Sequence, residues 1–539
     1  MNHLFIDHLN ELQLTKKKIK DNLSNTKHLT KNYYYLKRLN ERLNLYTSKK
    51  LNQIHNVNFD KNYWSILNAN WQWVFLELVF EKWNFLKKNY YKIHIKEKKN
   101  YNFYLSKSDD IFQLIENKKF NLYISSKIIN NNKIQKKTKN IFCIADNDKK
   151  IDIFEKLLIY FFNKKIIKFE NIFINIPLNK FYKLWLGYKF NSLFLSLPNQ
   201  NSIFKKKINQ KIRNNFYKDF SPQNNFEKLI IDELQNILPL SMLENYYFYK
   251  EKYINLNLPN KPKNIICYSG VWANNLLSFY LAEKKKISNI ILFQHGALYG
   301  SSKFHFHQFF EEMISNIYVT WGWKEKKNHL PMGPINSFKP KKKNERISKI
   351  LLVAPGEISP RIIASDFDRK SIIDIHYNAI YLSKFVKNLK KYQITLRLKT
   401  VKNFNTIKKF YLKNGAIDKF STSNTSKDSD TKNALVICLY ESTFFYEMIS
   451  VNTPIILLLS KKRYNLIKAK YKKKYQILLK NDLLFLEKEN LVKFLEKTDL
   501  REWWLQKKTQ KALDKFKNGF FKIENNKNIY FKKILSKIN

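Results

Sequence analysis

The chain has 539 residues, 44% of them hydrophobic and 16% aromatic, which is enough apolar material for two or more packed domains and excludes an intrinsically disordered protein. It carries 99 Lys and Arg against 44 Asp and Glu, a formal charge of +55. Only nine of those cations are arginine, and the lysines are scattered in twos and threes (Lys16 to Lys18, Lys205 to Lys207, Lys472 to Lys474), so the charge reads as a solvated surface with a general attraction to anionic membranes and not as a specific nucleic-acid footprint.

The opening stretch, "MNHLFIDHLNELQLTKKK", has acidic residues inside its apolar part and no small-residue cleavage site, so it is not read as a secretory signal. Nor does any window approach the roughly 18 uninterrupted apolar residues that a membrane span needs. Cys143, Cys267 and Cys438 each lie in an apolar run, with no Cys-x-x-Cys pair and no metal-ligand spacing. Buried, reduced thiols follow, and a cytoplasmic location, with peripheral contact at the anionic inner face of the membrane.

Residues 28–100 are helical in pattern and rich in aromatics; Trp71, Phe75, Leu78, Val79 and Trp83 recur at three- and four-residue steps, one apolar helix face meant for a core. From about residue 140 the texture changes to short apolar runs. Five open with the same pair, Asn-Ile: "NIFCIAD" at 140, "NIFINIP" at 171, "NIICYSG" at 264, "NIILFQHG" at 289 and "NIYVTWG" at 316. Bounded by turn residues, they read as strands buried on both faces, hence a parallel sheet. "VWANNLLSFYLAEKKKIS" between the third and fourth supplies a crossover helix.

A polar, basic stretch with Pro331, Gly333, Pro334 and Pro340 interrupts this series. A second one follows: "ISKILLVAPGE", a helix around 371–390, "YQITLRLKT", "ALVICLYES", a helix from about 443, and "TPIILLLS". Two blocks of alternating strands and helices predict two Rossmann-like doubly wound domains facing a cleft, an α/β architecture with a helical N-terminal segment and C-terminal helices. The expected divisions are a helical part packed on the first domain (1–139), an N-terminal acceptor domain (140–330), a linker (331–345), a C-terminal nucleotide-donor domain (346–500) and helices (501–539).

Three places carry candidate chemistry. "FQHGALYG" follows a predicted parallel strand, where open α/β sheets bind ligands, and puts His295 there between Gly296 and Gly300, with Tyr299 on the same loop. A histidine there is suited to act as general base on a hydroxyl; its alternative is to hydrogen-bond the turn. His305 and His307 in "HFH" read equally as structure or as chemistry. Secondly, a strand runs into Glu441, Ser442 and Thr443 at a helix N-terminus, with Glu447 one turn on: an anion site suited to phosphate and sugar hydroxyls, or else an ordinary N-cap. Finally, Arg361 and Arg397 stand out in a lysine-rich chain, either for bidentate binding of phosphate or as salt-bridge partners.

The order "LNQIH…YWSILNANW", "FQHGALYG", "VTWGW", "PGEISPR", "ESTFFYEMISVNTPII" and "EWW" resembles the surface-carbohydrate transferases that bacteria encode among lipopolysaccharide and capsule biosynthesis genes. The resemblance runs from about residue 50 to 515 and implies a sugar or sugar-phosphate transferase of the GT-B type. More distantly, "QHG" is similar to the His-Gly loop of the CDP-glycerol glycerophosphotransferases, and Ser442 and Thr443 to the hydroxyls that hold donor phosphate there. Only Glu441 stands where such enzymes place an acidic residue before the hydroxyls, and Arg397, Leu398 and Lys399 occupy the place of their His-Pro pair. The implied reaction is inverting and needs no metal or cofactor, only a nucleotide-sugar co-substrate and a glycan or lipid-linked acceptor. A nucleotide-sugar epimerase of the same fold and a non-catalytic polyanion binder are the alternatives.

Overall fold

Two parallel six-stranded sheets organise the chain, and a computed structural model describes them through residues 26–89, 118–128, 153–164, 169–197, 208–268, 271, 274–335, 346–356, 369–398, 404–422, 426–524 and 526–538, with two three-residue strands at 12–14 and 93–95. The expected strand at 140, Cys143, Arg361 and most of the linker lie outside these residues. The short strands β1 (Leu12–Leu14) and β2 (Ile93–Ile95) pair antiparallel.

The first sheet contains β3 (Asn171–Ile174), β4 (Ser192–Leu195), β5 (Asn264–Cys267), β6 (Asn289–Phe293), β7 (Ile317–Thr320) and β8 (His329–Pro331), ordered β4-β3-β5-β6-β7-β8. Its asparagines explain the repeated Asn-Ile. Asn171, Asn264 and Asn289 are in register across three strands, and Asn264 donates its side-chain amide to Asn171 Oδ1 (2.8 Å) while Asn289 donates to Asn264 Oδ1 (3.1 Å). Asn316 completes the edge by accepting the Ile290 N–H at 3.1 Å. The pair is thus a side-chain ladder closing the amino edge of the sheet, with each following isoleucine in the core.

The second sheet contains β9 (Lys349–Ala354), β10 (Gln393–Leu398), β11 (Lys419–Thr422), β12 (Ala434–Cys438), β13 (Ile455–Leu458) and β14 (Leu484–Phe485), ordered β11-β10-β9-β12-β13-β14. All its pairings are parallel, and this is the doubly wound order in which ligands sit where the strand order reverses, here between β9 and β12. In the first sheet the reversal lies between β3 and β5. The expected GT-B-like fold, two doubly wound α/β domains with added helices, is therefore present.

Helices 26–55 and 61–89 pack on each other, and the second also packs on helix 275–284 of the first domain. The apolar stripe read from the sequence is too narrow: Trp64, Trp71, Trp73, Phe75, Leu76, Leu78 and Val79 are all buried, so helix 61–89 is enclosed on every side. Trp73 stacks on Phe306 with ring centres 4.1 Å apart, tying this layer to the helix that follows the His295 loop.

The last helix, 527–538, returns to the first sheet. Tyr530, Phe531, Ile534 and Leu535 bury themselves against Phe173, Phe194, Ile266, Ile291 and Phe293, and the Tyr530 hydroxyl donates to the Gly333 carbonyl at 2.8 Å. Phe531→Ala removes a fully buried ring at this crossing and is expected to cost about 3–5 kcal/mol, read as a lower unfolding transition in denaturant.

Candidate functional site

The loop after β6 is shaped by Gln294. Its Oε1 accepts from the Trp321 N–H (2.9 Å) and from Trp323 Nε1 (2.8 Å), and its Nε2 donates to the Gly296 carbonyl (2.8 Å). Trp321 Nε1 donates to the Gln294 carbonyl at 3.0 Å. The two tryptophans of "VTWGW" are therefore the wall that holds "QHG". The turn then passes through positive φ at Leu298 (75°) and Gly300 (79°). Only one of the two framing glycines is demanded by this geometry. A Cβ on Gly300 would lie 2.6 Å from the Trp323 ring, whereas Gly296 avoids positive φ and a Cβ there would meet Tyr299 and Thr443 at ordinary distances of 3.8 and 4.0 Å.

His295 is half-buried on this loop, with Nδ1 3.2 Å from Glu311 Oε1 on helix 306–314. The same carboxylate accepts from the hydroxyls of Tyr299 (3.3 Å) and Tyr318 (2.8 Å). Burial first, and then the Glu311 charge, push both phenols well above their usual range, so they remain protonated donors. Tyr299 is interior to its loop, and Gly300, packed on Trp323, is likewise scaffold. His305 resolves as structure. It caps helix 306–314, its Nδ1 accepting the Gln308 N–H at 3.1 Å, and it packs on the Tyr299 ring at 4.1 Å. Burial, followed by the neighbouring His307, holds its pKa well below the usual histidine range, consistent with a neutral acceptor.

The facing wall comes from the second domain. After β12, Ser442 caps helix 443–450, its Oγ accepting the Phe445 N–H at 3.3 Å. Thr443 Oγ1 accepts the Ala297 N–H at 3.3 Å, which joins this helix N-terminus directly to the His295 loop. On an otherwise buried helix only Thr443 and Glu447 are part-exposed, four residues apart on one face. Glu447 pairs with Lys427 (2.7 Å) and, after burial, is the second cause that raises Tyr268, just past β5, to about 12. The reversal points of the two sheets thus face each other across Tyr268, His295, Thr443 and Glu447.

Two expected donor ligands turn inward. Glu441 is fully buried, accepting from Ser301 Oγ (2.9 Å), from the hydroxyls of Tyr446 and Tyr475, and from Arg463 (3.2 Å). A carboxylate so occupied does not face a substrate. Arg397 is buried as well, paired with Asp430 and lying over the Phe444 ring at 5.2 Å. Asp-x-Asp occurs in the chain at 146–148, 366–368 and 428–430; the first two lie outside the described residues, and Asp430 of the third is held by Arg397 and by Ser421 (2.7 Å). Among the described residues no three His, Cys, Asp or Glu side chains converge as a metal site.

Glu311, Tyr268 and Gln294 were not singled out from the sequence. Gln294 alone had a local signal, its place beside His295; Glu311 is brought to His295 only by the packing of its helix.

The model of the LIC12162 family transferases matches residues 9–535. The chain belongs to this transferase family. No curated protein matches it. Among solved structures it is similar to S. aureus MnaA in a structure with UDP (10% identity, 68% of this chain and 95% of that one, TM-score 0.37) and to a variant of the wall teichoic acid polymerase TagF (13%, 71% and 94%, 0.32). It is also similar to TarM (11%, TM-score 0.33), where 51% of this chain spans about half, 54%, of that one. Membership of the LIC12162 family makes the chain a transferase.

Glu441→Gln leaves the buried Arg463 without its carboxylate counter-charge. The substitution is expected to cost about 3–5 kcal/mol, measured as a lower unfolding midpoint with the domain seam the first region to lose hydrogen-exchange protection.

Proposed function

We propose that this chain is an inverting, metal-independent glycosyltransferase that moves a sugar or sugar-phosphate from a nucleotide-activated donor to a precursor of a cell-surface polysaccharide or lipopolysaccharide. The observation that carries the reading is the His295–Glu311 pair, half-buried where the carboxyl ends of the two sheets meet. A carboxylate beside Nδ1 favours the tautomer whose lone pair is on Nε2 and stabilises the imidazolium that forms when Nε2 takes the acceptor's proton. His295 is then the general base, Glu311 its positioning residue, and the acceptor approaches from the Tyr268 side of the cleft.

The donor would lie against the second domain. The N-terminus of helix 443–450, with Ser442 and Thr443, favours its phosphates, Glu447 and Lys427 suit sugar hydroxyls and phosphate respectively, and Arg361 offsets charge on the leaving group. Arg397 contributes through Asp430 and the packing of Phe444 rather than by direct contact. The lysine-rich surface favours work at the inner face of an anionic membrane, with a lipid-linked or glycan acceptor; none of the described helices is long and apolar enough to cross one.

His295→Ala is expected to fold, to keep the thermal shift that the matching nucleotide-sugar induces, and to lose transfer by about a hundredfold to ten-thousandfold. Wild-type turnover in that variant would remove the base assignment. Donor consumption that needs no acceptor would identify an epimerase instead, and ligand binding that is steeply salt-dependent and indifferent to His295→Ala would identify a polyanion binder. Transfer that survives EDTA unchanged is the expected result for metal independence; loss restored by a divalent cation would reverse it.

A further inference from the structure

Helix 180–189, "KFYKLWLGYK", turns its apolar side chains the wrong way for a globular protein. Leu186 and Gly187 face inward, and Gly187 lies so close to the sheet that a Cβ would approach the Ser192 carbonyl to 2.8 Å. Phe181, Leu184, Trp185 and Tyr188 face water in one stripe, Phe181 at 85% and Tyr188 at 92% exposure. Helix 153–163, "IFEKLLIYFFN", does the same with Ile153 (78% exposed), Leu157, Tyr160 and Phe161, spaced for a single face. The two helices pack on opposite faces of the first sheet, Ile159 on the side of Ile172 and Leu193 and Leu186 on the side of Phe173 and Phe194, and at the end of β4 Ser196 donates its N–H to Glu155 (3.1 Å) while its hydroxyl accepts from Lys183 Nζ (3.1 Å). The stripes therefore face apart, and the more exposed of the two is that of helix 180–189. Monomeric proteins seldom leave so many large apolar side chains together in water.

The charges around them are basic. Lys189 lies over the Trp185 ring at 5.0 Å and Lys164 over the Tyr160 ring at 6.0 Å, with Lys156 and Lys180 on the same two helices. Of the nearby acids, Glu155 is taken by Ser196, and Glu170 lies 3.6 Å from Lys263. Trp, Tyr and Phe interleaved with Lys is the composition that partitions into lipid headgroups, aromatic rings at the acyl boundary and ammonium groups on lipid phosphates.

We propose that helix 180–189 forms a docking surface for an anionic lipid bilayer. The assignment is independent of the catalytic reading. If that reading holds as well, docking has a use: helix 180–189 begins beyond the carboxyl end of β3, on the edge that also carries the His295 loop after β6, so a lipid-linked acceptor would reach the cleft from the bilayer.

The test is co-sedimentation of the full chain with vesicles of phosphatidylcholine, with and without phosphatidylglycerol. The parent chain is expected to pellet with the phosphatidylglycerol vesicles. Phe181→Ser, Trp185→Ser and Tyr188→Ser combined should weaken that binding at least about tenfold while the melting temperature stays that of the parent. Lys180→Gln with Lys189→Gln should weaken it more than the equal charge change Lys507→Gln with Lys508→Gln on a distant helix. Three results would overturn the proposal: no binding by the parent, equal binding by the aromatic triple variant, or a parent dimer that the triple variant converts to monomer, which would assign the patch to a second copy of the chain.

Discussion

The buried carboxylate of Glu441 sets the geometry on which the rest depends. A desolvated charge is tolerated only when its lone pairs are met, and here they are met from both domains at once: Ser301 from the first, and Tyr446, Tyr475 and Arg463 from the second. Backbone pairing follows the same seam, with the Lys468 N–H on the Ser301 carbonyl (2.8 Å) and the Lys303 N–H on the Leu466 carbonyl (2.9 Å). The loop that carries His295 is thus held by the second domain as well as by its own strand. Its distance to the helix at Thr443 is a property of the seam.

The arginines follow the same logic. Of the nine arginines, Arg38, Arg346 and Arg501 are exposed, whereas three others are buried where fixed, forked geometry is needed, with internal partners. Arg213 grips Glu244 with two bonds of 2.7 Å, Arg397 pairs with Asp430, and Arg463 with Glu441. Each is buried, and each fixes an element that lysine, a single charge on a flexible stem, would leave loose. Lysine is left for the surface, where what matters is charge in bulk.

Much of the fold was legible because burial on both faces of a parallel strand writes a short, β-branched apolar run bounded by turn residues. The Asn-Ile repeat located β3, β5, β6 and β7 correctly, for a reason the one-dimensional pattern does not contain: the asparagines bond to each other across the strands. Short edge strands such as β8 and β14 went unread, since two or three residues carry no periodicity. The extent of burial of helix 61–89 was also underread, because polar residues such as Asn68 and Gln72 break the apolar pattern yet bond inside the helical layer, Asn68 Nδ2 donating to Gln72 and Gln72 to Asn40.

In the candidate site the division is sharper. His295 and Thr443 could be placed from sequence because position at the carboxyl end of a parallel strand is a local property, readable from the run that precedes it. Glu441 and Arg397 could not be assigned, because a carboxylate or guanidinium reads alike whether it will face a ligand or a partner across the core. By itself, the sequence determined two doubly wound domains, the loop that bears His295 and the helix that bears Thr443. Only the tertiary structure decided that Glu311 stands beside His295, that Glu441 belongs to the seam and that two aromatic stripes face outward, since each depends on which distant segment packs against it.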